Sequence, residues 1–390
     1  MITHSFYESD NRVLRYAETL AARGDSVDVL ALRRNPEMPV EEAINGVRLH
    51  RIQDRFGKKE KSKGSFLKPL LRFLFASSRH LNRLHRQGRF DLVHVHNIPD
   101  FLVFAAWRPK LSGTKLILDI HDIVPEFFRS KFGTSRDSAL VRGLKVAEKV
   151  SAAMADHVIL ANHLWLEKYT SRSAGKEKCS VFINHVDEKI FHRRPRTRRD
   201  NRPVVMFPGG LQWHQGLDIA IRAFKILHER MPEAEFHIYG DGNMKPELVA
   251  LTAELGLDGC VKFFSPLPIK QIADVMAQAD LGVVPKRADS FGNEAYSTKI
   301  MEFMSLGVPM VVSSTKIDRF YFDDMVVRFF ESGNVEQLAD AMREVLSKPD
   351  LRDRMVKQAF EYVSRNSWES WKDEYLQLVD RLCAGKKNSG

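Results

Sequence analysis

A chain of 390 residues is too long for one ordinary domain and predicts two, each of roughly 190 residues. Its content of 44% apolar and 28% charged residues is typical of a folded globular protein and excludes wholesale disorder. The net charge of +10 predicts an anionic partner, while three cysteines, Cys179, Cys260 and Cys383, are too few and too widely spaced for a disulfide framework or a CxxC metal site.

Strands and helices alternate along the first half of the chain. Short apolar, β-branched runs predict strands at residues 1–4, 26–31, 47–52, 91–96, 115–120, 157–161 and 180–183. This alternation is typical of a parallel sheet built from βαβ units. The start, MITHSFYESD, lacks the regions of a signal peptide, and no apolar run approaches the ~20 residues of a membrane helix, so we expect a cytoplasmic protein.

One window in this half is strongly basic. Residues 55–89 hold eleven Lys and Arg residues and one acid, Glu60. Apolar residues at helical spacing predict an amphipathic helix there, namely Phe66, Leu67, Leu70, Leu71, Phe73, Leu74, Leu81 and Leu84. Such a helix can lie on an anionic membrane, or it can pack its apolar side on the sheet with its charges in water. The membrane-facing candidates are Lys58, Lys59, Lys61, Lys63, Lys68 and Arg72.

The second half repeats the alternating pattern. Strands are predicted at residues 204–207, 234–239, 261–263, 281–284 and 309–312, followed by helices at 334–346, 350–365 and 367–382. The charged, proline-containing stretch 192–203 is the predicted linker. We therefore expect an α/β protein of two doubly wound domains, residues 1–195 and 203–365, whose sheets direct their carboxyl ends to a shared cleft. Nucleic acid is not an expected partner, because zinc-finger spacing and RNA-binding motifs are absent from the sequence.

A pair of carboxylates in the second half suggests a binding site. Glu294 and Glu302, in EAYSTKIME, follow a predicted strand and span a little over two helical turns. A carboxylate can accept hydrogen bonds from vicinal hydroxyls, and a helix N-terminus favours an oxyanion, so a polyol phosphate suits both. The alternative is two unrelated surface glutamates.

This stretch resembles the Glu-x7-Glu signature of the retaining GT-B glycosyltransferases of family 4. Further similar segments are PGGLQWHQGLDIAIRAF, AEFHIYGDGNMKPEL, VKFFSPLP and FINHVDEKIF, so the resemblance extends over nearly the whole chain. It implies two Rossmann-like domains, with the acceptor bound by the first, the donor by the second, and helix 367–382 packed back on the first. It also implies that Glu302 holds the nucleotide ribose and Glu294 the hexose, with further donor contacts from Ser297, Thr298, Gly209, Gly210 and Leu267.

Histidines end two predicted strands of the first domain. HVHN places His94 beside His96, and DIHD places Asp119 beside His121. The resemblance puts His121 next to the transferring sugar, as a catalytic residue together with Glu294, whereas His94 reads as a core residue. A metal-dependent hydrolase using His94, His96 and His121 is the alternative, but the absence of Asp-x-Asp favours a metal-free site.

The chain lacks two cations that are usual in the family. Family members generally carry Arg and Lys where this sequence has Gly210 and Gln215. Because the diphosphate charge must still be offset, we expect Lys299 to substitute, with Lys286 and Arg287 behind it. On the acceptor and phosphate side, the first domain offers Arg12 with Asn11 and Asp122.

The resemblance implies a retaining, metal-independent transferase without a cofactor. We expect it to move a hexose from a nucleotide sugar, with UDP favoured, to a saccharide or lipid-linked acceptor in envelope or exopolysaccharide synthesis. Because of the basic helix, we also expect the protein to attach peripherally to the cytoplasmic face of the inner membrane. The alternatives are the metal-dependent hydrolase, a GT-B nucleotide-sugar epimerase and a non-catalytic membrane-bound scaffold.

Overall fold

The computed structural model describes residues 1–55, 63–132 and 138–384, and the side chains of residues 63–66 and 129–132 fall outside that description. The chain forms two compact units. The first comprises residues 1–184 together with the chain from Trp371 onward, and the second comprises residues 185–370.

The first unit is built on an eight-stranded sheet of order β3-β4-β2-β1-β5-β6-β7-β8. Only β3 is antiparallel to its neighbour, with Glu41 opposite His50. Buried Val, Leu and Ile dominate β2, β5, β6 and β7, because both faces of a parallel sheet are covered. The strands are β1 (Ile2–Thr3), β2 (Val27–Arg33), β3 (Glu41–Ile44), β4 (Val47–Asp54), β5 (Leu92–His96), β6 (Lys115–Ile120), β7 (His157–Leu160) and β8 (Cys179–Val181).

Helices cover both faces of this sheet. Alternate strand residues such as Val93 and Val95 join one buried cluster, whereas His94 and His96 point to the opposite face. Tyr375 packs on that opposite face, with its hydroxyl 3.0 Å from His94 Nδ1. The helices are α1 (Asn11–Arg23), α2 (Lys63–Gln87), α3 (Trp107–Leu111), α4 (Val124–Phe132), α5 (Ala139–Met154), α6 (His163–Thr170) and the C-terminal α14 (Trp368–Ala384).

The second unit holds a six-stranded parallel sheet of order β11-β10-β9-β12-β13-β14. Its strands are β9 (Val204–Pro208), β10 (Glu235–Tyr239), β11 (Val261–Phe264), β12 (Leu281–Val284), β13 (Met310–Ser313) and β14 (Arg328–Phe330). Its helices are α7 (Leu217–Arg230), α8 (Lys245–Glu254), α9 (Ile269–Met276), α10 (Thr298–Leu306), α11 (Lys316–Tyr321), α12 (Val335–Ser347) and α13 (Pro349–Asn366). The predicted α/β class with two doubly wound sheets is therefore confirmed.

The boundary between the units differs from the predicted one. The chain passes from the first unit to the second at Asn184–His185, ahead of the predicted linker at residues 192–203. That stretch belongs to the second unit, because Arg194 pairs with Asp274, and Arg196 pairs with Asp280. The return to the first unit falls inside α14, between Ser370 and Trp371.

Two strands were not predicted, and both lack a long apolar run. β3 has the sequence EEAI and lies at a sheet edge with its first three residues exposed. β14 has only three residues, RFF, at the edge of the second sheet. None of the helices in the described ranges combines the length and apolar composition needed to cross a bilayer.

Candidate active site

The second unit places its predicted site at the point where strand order reverses. β9 and β12 are neighbours in space, and the sheet grows outward from them in opposite directions. Open α/β sheets bind ligands at the carboxyl ends of such strands. Gly209 and Gly210 follow β9, and the segment from Pro285 to the start of α10 follows β12, so most of the predicted donor residues gather here.

Lys299 lies against the glycine loop. Gly209 has φ +137°, and a Cβ added to it would lie 3.3 Å from both Cε and Nζ of Lys299. The Lys299 ammonium is 5.2 Å from the ring centroid of Phe207, and it makes no hydrogen bond or ion pair with any residue in the described ranges. Burial, opposed by the carboxylate of Glu302, lowers the pKa of Lys299 to about 8. A partly buried cation at the end of β9 is thus available to an anionic ligand.

Glu302 and Glu294 flank the start of α10. Glu302 is half-buried on the second turn, and burial, opposed by Lys299, raises its pKa. Glu294 is half-buried in the preceding turn, where its amide donates to Phe291 O at 2.9 Å. The N-cap residue of α10, buried Ser297, makes no side-chain capping hydrogen bond, so the helix leaves amide donors at its start beside Thr298.

Arg287 and Lys286, which were expected to support Lys299 at the diphosphate, each form an ion pair within the protein. Arg287 donates to both carboxylate oxygens of Asp218, at 2.9 and 2.6 Å, and lies over the Trp213 ring. Lys286 is buried, pairs with buried Asp318 at 2.9 Å and donates to Ala295 O at 2.8 Å. The contact of Arg287 with the donor stays a prediction, although Asp218 already offsets the charge of Arg287. Asp318 was missed because no sequence signal links it to Lys286.

The remaining donor residues lie at strand ends. Gly210 follows Gly209 directly, and half-buried Leu267 lies between β11 and α9. Both are therefore at the carboxyl edge of the second sheet, where ligands of parallel sheets bind. Their contacts with a donor stay predictions.

The first unit also places polar residues where its strand order reverses, between β1 and β5. Asp119, at the end of β6, is fully buried and accepts hydrogen bonds from Arg12 Nε and Nη2, each at 2.7 Å. His96 Nδ1 and His121 Nε2 lie 3.0 and 3.1 Å from Asp119 Oδ2. Burial alone would raise the pKa of Asp119, but Arg12 and His121 lower it well below its usual value.

This network orients His121. Its side chain remains 20% exposed, and in the neutral tautomer whose Nε2 donates to Asp119, Nδ1 is the acceptor. Asn97 Oδ1 accepts from the His121 amide at 2.7 Å, and Asn97 Nδ2 donates to Asp122 O at 2.7 Å. Asn97 was not singled out from the sequence, although it ends the HVHN strand that was.

The predicted phosphate-side residues have different environments. The Arg12 guanidinium is buried and committed to Asp119 and to Phe182 O, so its phosphate contact stays a prediction that would require rearrangement. Asn11 Oδ1 is buried at the start of α1 with no hydrogen-bond partner in the described ranges. Burial, opposed by His121, raises the pKa of half-buried Asp122 to about 6. Asn11 and Asp122 therefore retain polar atoms for a ligand.

The histidine cluster is an internal network. His94 and His96 stack at 4.2 Å between ring centroids, and with Asp119 they form a group of metal-ligating type. Both oxygens of Asp119 already face the Arg12 guanidinium, so a cation would have to compete with that charge. This arrangement does not favour the hydrolase alternative.

The predicted membrane residues are only partly described. Lys58, Lys59 and Lys61 lie outside the described residues, as does the Lys63 side chain. Lys68 and Arg72 are exposed on α2.

Two family models match the chain, one over each half. Residues 9–185 match the glycosyl transferase 4-like domain, and residues 188–362 match the glycosyl transferases group 1. The first match lies in the first unit except for its last residue, His185, and the second match lies within the second unit.

Curated relatives and solved structures resemble the chain over nearly its whole length. A D-inositol 3-phosphate glycosyltransferase of Thermomonospora curvata is 26% identical, with 94% of this chain and 88% of the relative covered. Sucrose-phosphate synthase from Thermosynechococcus elongatus is similar with a TM-score of 0.79 and 18% identity, over 98% of each chain. Anabaena Alr3699/HepE in complex with UDP and glucose has a TM-score of 0.73 and 16% identity, over 97% of this chain and 98% of that one. These structures share the fold.

Proposed function

Because this chain belongs to the group 1 glycosyltransferases, we propose that it moves a hexose from UDP to a hydroxyl of a saccharide or lipid-linked acceptor, with retention of the anomeric configuration. The choice of UDP is supported by the Anabaena neighbour, whose structure holds UDP and glucose. The second unit binds the donor, and the first binds the acceptor. The proposed pathway is envelope or exopolysaccharide synthesis.

One observation carries this proposal: the Lys299 ammonium lies against the loop at Gly209. It supplies positive charge at the carboxyl end of β9, where Gly210 and Gln215 provide none. The donor diphosphate would lie between this ammonium and the amides that begin α10, with Glu302 accepting hydrogen bonds from the ribose hydroxyls. Glu294, in the turn that precedes α10, would then contact the hexose.

The proposed mechanism needs no metal and no cofactor. The diphosphate leaves while one of its own oxygens helps to deprotonate the incoming hydroxyl on the same face of the sugar. The protein then contributes positioning and stabilisation of the developing charge. Lys299 would offset the leaving group, and His121, whose Nε2 lies 3.1 Å from Asp119 Oδ2, would orient a sugar hydroxyl through Nδ1.

We expect a thermal-shift screen over nucleotide sugars to identify the donor. At a ligand concentration about 100 times Kd, a bound donor stabilises the folded state by about 2.7 kcal/mol, which raises Tm by roughly 5–10 °C for a unit of this size. Glu302→Gln should lose most of this rise, because the amide holds vicinal hydroxyls less well than the carboxylate does. Glu247→Gln, on the exposed side of α8, is the matched control and should keep the rise. A panel in which no nucleotide sugar shifts Tm would overturn the assignment.

His121→Ala should reduce kcat without weakening nucleotide binding. Loss of one hydrogen bond to the reacting sugar predicts about a ten- to hundred-fold decrease. Asp119 keeps Arg12 and His96 as partners, so the fold should tolerate the change. The measurement is sugar transfer under saturating donor, with His192→Ala, an exposed histidine, as control. An unchanged kcat would remove His121 from the reaction, and nucleotide release that needs no acceptor would indicate an epimerase instead.

We further propose that the acceptor is presented at a membrane and that the protein attaches peripherally to the cytoplasmic face of the inner membrane. The support is charge, because residues 55–89 hold eleven basic residues and one acid. Anionic lipids attract such a segment by about 1 kcal/mol per Lys or Arg near the surface.

A further inference from the structure

Three helices lie side by side on one face of the first sheet. Phe73 and Leu81 of α2, the residues 102–106 that lead into α3, and Ala152 of α5 share one buried cluster with alternate strand residues. His85 of α2 and Ser112, directly after α3, are joined by a 2.8 Å hydrogen bond. The outward sides of α2, α3 and α5 are called the three-helix face below.

The three-helix face carries charge of a single sign. α2, α3 and α5 contain six, two and three Lys and Arg residues, and their one acid is Glu148. Glu148 is fully buried and pairs with Arg172 at 2.8 Å, so it does not offset the surface. In contrast, α14, which packs on the other face of the sheet, has four acids and two basic residues. These three helices are therefore net basic, whereas the helix on the other face of the sheet is net acidic.

The same face exposes large apolar side chains. Of the thirteen such residues found exposed in the described part of the chain, eight belong to these three helices. Leu67, Leu71 and Phe75 follow each other at four-residue spacing on α2, which places them on one side of that helix. The most exposed large apolar residue on each helix is Phe75 at 67%, Leu111 at 78% and Val146 at 62%. Of the apolar set of α2, Leu67 and Leu71 therefore do not pack on the sheet.

We propose that the three-helix face docks on an anionic lipid bilayer, with Phe75, Leu111 and Val146 entering the interfacial region. Apolar side chains among cations are the composition of an interfacial surface, because the headgroups take the charge and the acyl boundary takes the apolar groups. Pairing of this face with the same face of a second copy would bring like charges together. The inference deepens the proposed membrane attachment, on which it rests, and it does not depend on the transfer reaction.

The test is flotation of the full chain with two kinds of vesicle, phosphatidylcholine alone and phosphatidylcholine containing phosphatidylglycerol. We expect flotation only with the anionic vesicles. The variant Phe75→Ser/Leu111→Ser/Val146→Ser should reduce the partition coefficient by at least about ten-fold, because three exposed apolar groups no longer enter the interface. The control Val40→Ser/Val249→Ser/Met325→Ser removes comparably exposed apolar groups elsewhere and should float like the original chain. Donor-induced thermal shift, measured in parallel, should be the same for all three proteins.

The outcomes separate the two proposals. If the original chain does not float with anionic vesicles, both the attachment and the docking face are wrong. Equal flotation of the original chain and the Phe75, Leu111 and Val146 variant would overturn the docking face and leave attachment through charge alone. Equal flotation with neutral vesicles would show that anionic lipid is not the partner.

Discussion

Replacing Lys299 by methionine should lower kcat/KM for the nucleotide sugar by about a hundred- to a thousand-fold, the usual effect of removing one group that stabilises a developing negative charge. Lys299 is the cation that the described residues place at the end of β9 without an ion-pair partner. Arg287 and Lys286 do not substitute for it, because Asp218 and Asp318 already offset them.

The pH dependence gives this prediction a second readout. The pKa of Lys299 is lowered to about 8, so the ammonium is charged below that pH and becomes neutral as pH rises through it. A bound diphosphate favours the charged form, and donor Kd should therefore increase by up to about ten-fold per pH unit above pH 8. Lys299→Arg keeps its charge throughout this range and should abolish the increase.

Lys225→Met, at a half-buried position on α7 whose ammonium pairs with Glu229, is the matched control and should change neither kcat/KM nor the pH profile. The measurements are initial rates and donor titrations between neutral and alkaline pH. A Lys299→Met enzyme with unaltered donor affinity and rate would mean that the diphosphate lies elsewhere, which would also contradict the observation on which the proposed function rests.

Most strands of the two sheets could be predicted from the sequence, because a strand that is buried on both faces is a run of apolar residues. β6 and β12 begin and end where the runs at 115–120 and 281–284 do. β3 could not be found in this way, since its EEAI sequence pairs with β4 through backbone hydrogen bonds at an exposed edge. A strand that buries no side chains leaves no periodic signal.

The sequence pointed to charged residues near the predicted site but did not reveal their ion-pair partners. Phosphate contacts were predicted for Arg12, Lys286 and Arg287 and stay predictions, but each of these side chains also has a carboxylate partner that was not predicted. The carboxylates are Asp119, Asp318 and Asp218, and the separation of Arg12 from Asp119 is 107 residues. Pairing at such a distance depends on the folded sheet, and local spacing carries no information about it.

The boundary between the units differs from the predicted one for the same reason. The stretch 192–203 was predicted to be a linker because it is charged and has little to bury. Its arginines in fact bind carboxylates of the second unit, Asp274 and Asp280 among them. A charged segment is solvated only if it finds no partner, and the sequence does not reveal whether partners exist.

Lys286→Met alone should destabilise the second unit by about 3–5 kcal/mol, because it leaves the Asp318 carboxylate buried without its cation. The pair is deeply enclosed, with side-chain exposures of 4% and 0%, and Asp318 Oδ1 has no hydrogen-bond partner in the described ranges. Its remaining support is Thr315 Oγ1, which donates to Asp318 Oδ2 at 2.6 Å. Denaturant unfolding of the single variant measures this loss.

The double variant Lys286→Met/Asp318→Leu separates folding from positioning. Replacing a buried ion pair by apolar side chains is often neutral or stabilising, so the free energy of unfolding should return close to its original value. Transfer should remain impaired, because Ala295 O loses the Lys286 hydrogen bond that fixes the turn next to Glu294. We expect kcat to fall about ten-fold while Glu302-dependent nucleotide binding persists, since the misplaced group contacts the sugar. Full recovery of both stability and kcat would show that the pair only supports the fold, and that the turn carrying Glu294 is positioned by Asn293, which accepts from Lys316 N at 2.9 Å.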